Sequence, residues 1–288
     1  MLSRFCFAVA LVVPVFFTPA TRAGDKAAAA ITVVLGAQTR EIAPLVGELK
    51  DKREHKILGL TFWEGELVGR RVVITRTASG KVNAAVSAAL AIDHFHPSEV
   101  LVTGAAGSLN SELKPCDVVI AAKTVQHDSV RHHSSGVDRR GARNPITGQR
   151  NPVFLEAAPR LLDLAKRAAT KTDFIPMSGD DAQSSPTAVR VVTGTVATGD
   201  AFVESGEKRK ELRNALQADA VEMEGAAVAQ VCHQFGVPCL VIRCVSDTAD
   251  ETAMADFETY AAAAAANAAR LVYGIIRELA GAGCAPRP

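Results

Sequence analysis

The sequence predicts an α/β protein in three layers, a central mixed sheet flanked by helices, and three observations lead there. Short β-branched runs recur along the chain, each closes on a glycine or small polar residue, and stretches with apolar residues at helical spacing follow several of them. Alternation of this kind is the mark of layered α/β folds with a parallel or mixed sheet. With 288 residues, 48% hydrophobic and 22% charged, the chain has a globular composition. We expect one domain over residues 31–282, with no internal repeat.

Taken in order, Ile-Thr-Val-Val-Leu at 31–35 is a strand ending at Gly36. Ile42, Leu45, Val46 and Leu49 then fall at helical spacing. Pro44 is tolerable near the first turn, where backbone N–H groups have no intrahelical partner, which starts this helix near Thr39 or Arg40. A strand at 72–75 leads through the turn Ser79-Gly80-Lys81 to an Ala-rich helix at 82–95, and a strand at 100–103 runs into Gly104-Ala105-Ala106-Gly107. Further strands are expected at 117–121, 191–195 and 240–245, and helices at 208–216, 224–235 and 257–279. Residues 132–151 and 172–187 are polar and rich in Gly, Pro, Ser and charge, so they read as surface loops or lids.

A formal net charge of +1 lacks the surplus of Lys and Arg that phosphate neutralisation needs, and no nucleic-acid partner is expected. Arg4 followed by the apolar run 5–17 and by Thr21-Arg22-Ala23 reads as a secretory signal, residues 1–23, cleaved after Ala23. The run is shorter than the roughly 20 residues of a membrane span. An uncleaved anchor is the alternative. Cleavage implies a periplasmic or secreted protein with no stable membrane span. It leaves Cys116, Cys232, Cys239, Cys244 and Cys284, an odd set without metal-ligand spacing. Neither a disulfide nor a metal is expected.

In open α/β sheets a ligand binds beyond the carboxyl ends of the strands, so the residues just after each strand are the candidates. These are Gly36 to Glu41, Thr103 to Gly107, Thr198 to Val203, and Val245-Ser246-Asp247, together with Val221-Glu222-Met223-Glu224 ahead of an apolar helix. Singly, each acid has an ordinary explanation. Glu222 and Glu224 suit a helix N-terminus, Asp247 could start a turn, and Glu41 could be a solvated first-turn acid. No nucleotide-phosphate motif is present.

Jointly, these segments resemble the purine and uridine phosphorylase superfamily and, within it, the 5′-methylthioadenosine/S-adenosylhomocysteine nucleosidases. The likeness runs from about Ile31 to Leu279. It rests on Gly36-Ala37 with Glu41, Ser79-Gly80-Lys81-Val82, Thr103-Gly104-x-Ala106-Gly107, Thr198-Gly199-Asp200-Ala201-Phe202, Val221-Glu222-Met223-Glu224, Ala229 to His233, and Val245-Ser246-Asp247-x-Ala249-Asp250. It implies a nucleoside phosphorylase-like fold. It also implies that Glu41 activates the attacking water and that Asp247, steadied by Ser246, protonates N7 of a purine. Glu224 beside Met223 would grip the ribose hydroxyls, Phe202 would stack on the base, and the Val203 backbone would read its edge. Breaking a ribosyl C–N bond needs an acid at the base and an anion near the sugar, hence two carboxylates of different pKa. Asp247 must then hold a proton and Glu41 must not, so Asp247 is expected in the drier place.

Phosphorylases of this superfamily hold phosphate with an arginine on the strand before Gly104 and a serine just after it. Val102 and Ala105 stand there instead, so water is the expected nucleophile. Arg40 occupies the place of another phosphate-binding arginine, but the adjacent Glu41 supplies a base that a phosphorylase does not need. The likeness puts Phe257 and Ala105 among the substrate-binding residues, with Phe257 on the apolar 5′ side. Gln38 and the loop Arg131-His132-His133-Ser134-Ser135 are polar where apolar side chains would suit an alkylthio group, and are compatible with a polar 5′ substituent. The expected enzyme is a nucleosidase releasing adenine from an adenosine derivative, without cofactor, as a homodimer. The alternatives are a phosphate-dependent phosphorylase and an exported purine-nucleoside binding protein without catalysis.

Overall fold

The protein's computed structural model describes residues 30–177 and 188–282. The signal segment, Cys6, Cys284 and residues 178–187 of the second polar loop lie outside the described residues. In chain order the elements are β1 (Ile31–Gly36), α1 (Thr39–Gly47), β2 (Lys50–Ile57), β3 (Leu60–Leu67), β4 (Arg70–Arg76), α2 (Lys81–Phe95), β5 (Glu99–Val102), β6 (Ala105–Ser108) and β7 (Val118–Gln126). They continue as β8 (Val130–His133), β9 (Gly136–Arg139), β10 (Phe154–Glu156), α3 (Pro159–Ala169), β11 (Val191–Thr198), α4 (Gly206–Leu216), β12 (Ala220–Glu222), α5 (Gly225–Phe235), β13 (Cys239–Asp247) and α6 (Ala253–Ala282).

Eleven strands form one mixed sheet in the order β10-β7-β11-β12-β6-β13-β5-β1-β4-β3-β2. β1 is parallel to β4 and β5, and β13 is parallel to β5 and then to β6. β13 also pairs antiparallel with β7, which closes β7, β11, β12, β6 and β13 into a ring. Helices α1, α3 and α6 cover one face through Ile42, Leu45, Leu161, Leu164, Leu271 and Ile275. On the other face, the buried alanines Ala84, Ala88 and Ala91 of α2 pack in one cluster with Val228 and Val231 of α5. Burial of these faces, at about 25 cal/mol per Å² of apolar surface, is the main force holding the layers together.

The structure also corrects element boundaries. β2 and β3 lie where no strand was expected, because β2 is the charged outer edge of the sheet and carries no alternating apolar pattern. Two-residue turns, Leu58-Gly59 and Val68-Gly69, have positive φ at both residues, the geometry that joins twisted antiparallel strands. Helix α3, with Pro159 in its first turn, was also missed, and the first polar loop contains the β8–β9 hairpin. Residues 220–222 form a strand, so Glu222 ends β12 instead of preceding a helix directly. Helix α6 begins at Ala253, ahead of Phe257. Helix α1 starts at Thr39 as expected but continues past the exposed Pro44 to Gly47. The proline's missing N–H leaves the Arg40 carbonyl without a helical partner, which an exposed turn tolerates.

Candidate functional site

The carboxyl ends of β1, β11, β12 and β13 meet the start of β6 around a cavity of about 280 Å³. Glu41 sits in the first turn of α1, yet only 4% of it is exposed. Its Oε2 accepts the Gln38 amide at 2.8 Å and its Oε1 accepts the Ala105 amide at 3.0 Å. The acid is thus a fixed wall group, not a solvated one. Ala105 contributes its backbone N–H to hold it. Gly104 explains how the strand comes so close: a Cβ there would stand 2.0 Å from Arg243 Nη1 and 2.7 Å from Glu41 Oε1.

Glu222 and Glu224, adjacent acids with the same expected reading, part company. Glu222 Oε2 accepts the amides of Glu224 and Gly225 at 3.0 and 2.7 Å, so it caps α5, while Oε1 accepts the Thr198 hydroxyl. Glu224 reaches across instead, accepting the Gly80 amide at 2.8 Å. Between them stands Arg243, 1% exposed in mid-β13, which donates to Glu222, to Glu224 at 3.2 Å and to the Thr103 carbonyl at 3.2 Å. Burial works against the Arg243 charge, and Glu222, Glu224 and Glu41 outweigh it and keep the guanidinium above its usual pKa. Burial lifts the Glu224 carboxyl to about 7, with Glu222 adding to the rise and Arg243 opposing it.

Asp247, at the end of β13, is 2% exposed. It accepts Ser246 Oγ at 2.8 Å and the Ala249 amide at 3.0 Å. Burial raises its pKa, these two bonds offset part of the rise, and the acids Asp256 and Asp250 add to it. By exposure alone Glu41 and Asp247 are equally dry. The Glu41 charge acts on the buried Arg243 guanidinium, and the acids Asp256 and Asp250 act on Asp247. A Cβ on Gly107 would come 2.6 Å from Asp247 Oδ1, which makes the second glycine of the Thr103 segment a close-approach position.

Phe202, Met223, Met254 and Phe257 complete the wall, with Gln38 and Ser79 beside them. Phe202 is 43% exposed and meets Phe257 edge-on, centroids 6.0 Å apart. Of the residues expected in the site, Glu41, Ala105, Phe202, Met223, Glu224, Ser246, Asp247 and Phe257 all line this one cavity. Val203 does not. Its side chain is buried with Leu212 and Ala218 under α4.

Arg243 and the ion-pairing half of Glu222 escaped sequence reasoning. A signal was present, since an arginine in the run Leu240 to Val245 interrupts an otherwise apolar buried strand and needs a buried acid to pair with. Among the described residues no group of three or more His, Cys, Asp or Glu could hold a metal ion, and the four described cysteines are free.

An α/β sheet with four buried carboxylates, Glu41, Glu222, Glu224 and Asp247, lining one small cavity suits an enzyme that cleaves bonds by paired acid and base groups. The model of the phosphorylase superfamily matches residues 30–277, and the chain belongs to that family. It is 35% identical over 247 residues to a 5′-methylthioadenosine/S-adenosylhomocysteine nucleosidase of Shewanella denitrificans, covering 85% of this chain and 98% of that one. Among solved structures, the corresponding nucleosidase of Neisseria meningitidis in complex with methylthio-immucillin-A is similar at TM-score 0.72 and 35% identity, covering 86% of this chain and 98% of that one. Futalosine hydrolase of Helicobacter pylori is similar at TM-score 0.72 and 30% identity, with 87% and 98% covered.

Proposed function

We propose that the chain is a nucleosidase, an N-glycosyl hydrolase that cleaves the ribosyl C–N bond of an adenosine derivative of the methylthioadenosine or adenosylhomocysteine type and releases adenine. The observation that carries this reading is the presence of Glu41 and Asp247 in the wall of one cavity, the first locked by two backbone amides and the second with its pKa raised by burial. Asp247 delivers its proton to N7 as the bond lengthens, so that the base leaves neutral. Ser246 orients that carboxyl. Glu41 draws a proton from the water that attacks C1′, and Glu224 accepts from the ribose hydroxyls beside Met223. Phe202 stacks on the purine, in keeping with its exposed ring at the cavity rim.

Water is the nucleophile in this reading. Val102 is buried and apolar, and the Ala105 amide is already spent on Glu41. A phosphate dianion placed beside Glu41 and Glu224 would meet two acids. The test is to incubate the purified protein with methylthioadenosine, adenosylhomocysteine, adenosine, inosine and AMP, with and without phosphate. Release of free base without phosphate is expected; strict phosphate dependence would make the chain a phosphorylase, and binding without turnover a capture protein.

The same reading includes export to the periplasm or beyond with cleavage after Ala23, checked by N-terminal sequencing of the mature protein, which should begin at Gly24. It also includes a homodimer, in keeping with Val82 and Val86, 72% and 48% exposed on α2. Sedimentation equilibrium should give twice the chain mass.

A further inference from the structure

The segment between β11 and α4 carries Phe202, and among its described residues there is neither helix nor strand to stiffen it. Two points on it are nevertheless fixed. A Cβ on Gly199 would stand 2.1 Å from His127 Nε2, so the chain enters the segment in contact with that buried ring. Val203, just after Phe202, is buried with Leu212 and Ala218. Between these points Asp200, Ala201 and Phe202 are exposed.

Three bonds close a ring around Asp200. Lys81 donates its backbone amide to Asp200 Oδ1 at 2.8 Å and its Nζ to Asp128 Oδ1 at 2.6 Å, while Asp200 donates its own amide to Asp128 Oδ2 at 3.0 Å. Lys81 Nζ also lies 3.9 Å from Asp200 Oδ2, so one ammonium serves two carboxylates that repel each other. Burial works to raise the pKa of Asp128, yet the bonds from Lys81 and the Asp200 amide outweigh it and hold the carboxyl below its usual value. Lys81 opens α2, and the amide just before it, that of Gly80, is bound to Glu224. The ring therefore ties the Phe202 segment to the helix end that fixes the carboxylate assigned to the ribose. Of the described residues that line the catalytic cavity, none is Lys81, Asp128 or Asp200.

We propose that Lys81 and Asp128 are positioning residues for base binding: through Asp200 they hold the Phe202 ring where it stacks on the purine. The inference rests on the nucleosidase reading for the placement of the base. A ring already in place binds at lower cost than one that must first be ordered. The clasp thus acts on the grip of the base and leaves the proton of Asp247 untouched.

The experiment titrates adenine by calorimetry into the unmodified protein, Asp128→Ala, Lys81→Met, Phe202→Ala and the two pairings with Phe202→Ala, and measures kcat and KM for methylthioadenosine on each. Asp128→Ala and Lys81→Met should each weaken adenine binding by about fivefold, the upper range for a partly exposed ion pair. KM should rise by the same factor with kcat within about twofold. In the Phe202→Ala background the same substitutions should change the adenine Kd by less than about twofold, because the group they position is gone. Additive losses, an unchanged adenine Kd, or a fall in kcat at constant KM overturns the inference and leaves the nucleosidase reading standing. Adenine binding that follows the expected cycle without any release of base overturns the nucleosidase reading and leaves the clasp. No adenine binding overturns both. Thermal melts report folding, and because the two variants open the ring from opposite sides, either one decides the matter where the other fails to fold.

Discussion

The floor of the cavity and its rim are built on opposite principles. On the floor, Glu41, Glu222, Glu224 and Asp247 are all less than 9% exposed, and each accepts at least one backbone amide. At the rim, Phe202 and Met254 are 43% and 45% exposed and Arg40 lies over the ring face of Phe257. The difference teaches that the reacting groups are positioned by the sheet itself, whereas the groups that would read the substrate's outer parts are side chains free to vary without disturbing it. Damage to the floor should therefore cost chemistry or folding, and damage to the rim should cost binding.

The largest effect expected is that of Asp247→Asn, which keeps the shape and removes the proton. It should lower kcat by about 10²–10⁴-fold while the thermal melt stays within a few degrees. Unchanged turnover would break the proposed role. Arg243→Met tests the floor as structure: it leaves Glu222 buried without its counter-charge and should cost about 3–5 kcal/mol in urea unfolding. Adding Glu222→Gln should recover part of that loss.

The pH profile sharpens the comparison further. Glu224 rises to about 7 in the folded protein, so its ionised form, the better acceptor for ribose hydroxyls, fills as pH rises through about 7. KM should therefore fall across that range, and Glu224→Gln should flatten the change. Stability carries the opposite sign. Because the folded pKa lies above the ordinary value of 4.5, the contribution of this carboxyl is fully present below about 4.5 and is lost as pH rises through about 7. The smallest effect belongs to the rim, where Phe202→Ala should raise KM by about tenfold, as loss of one base–aromatic stack would, with kcat within about twofold.

Much of the floor was legible because its residues follow strands in a distinctive order. Glu41, Ser246 and Asp247 could be named from that order, while the strand-and-helix alternation gave the mixed sheet. What was hidden depended on contacts far apart in the chain. Nothing local separates Glu222 from Glu224, since what distinguishes them, the Thr198 hydroxyl on the first and the Gly80 amide on the second, is distant in sequence. β2 was invisible because an outer edge strand with solvent around its charges needs no apolar face.

Strand β13 carries Arg243, Ser246 and Asp247 and is bonded in turn to β5, β7 and β6. Held between three neighbouring strands, its amides should be among the slowest in deuterium exchange, slower than those of the edge strand β2. A molecule filling the cavity would then be recorded at the far side of the sheet as well as where it binds. Transition-state mimics should slow exchange along the whole of β13 by a common factor, set by how tightly they bind.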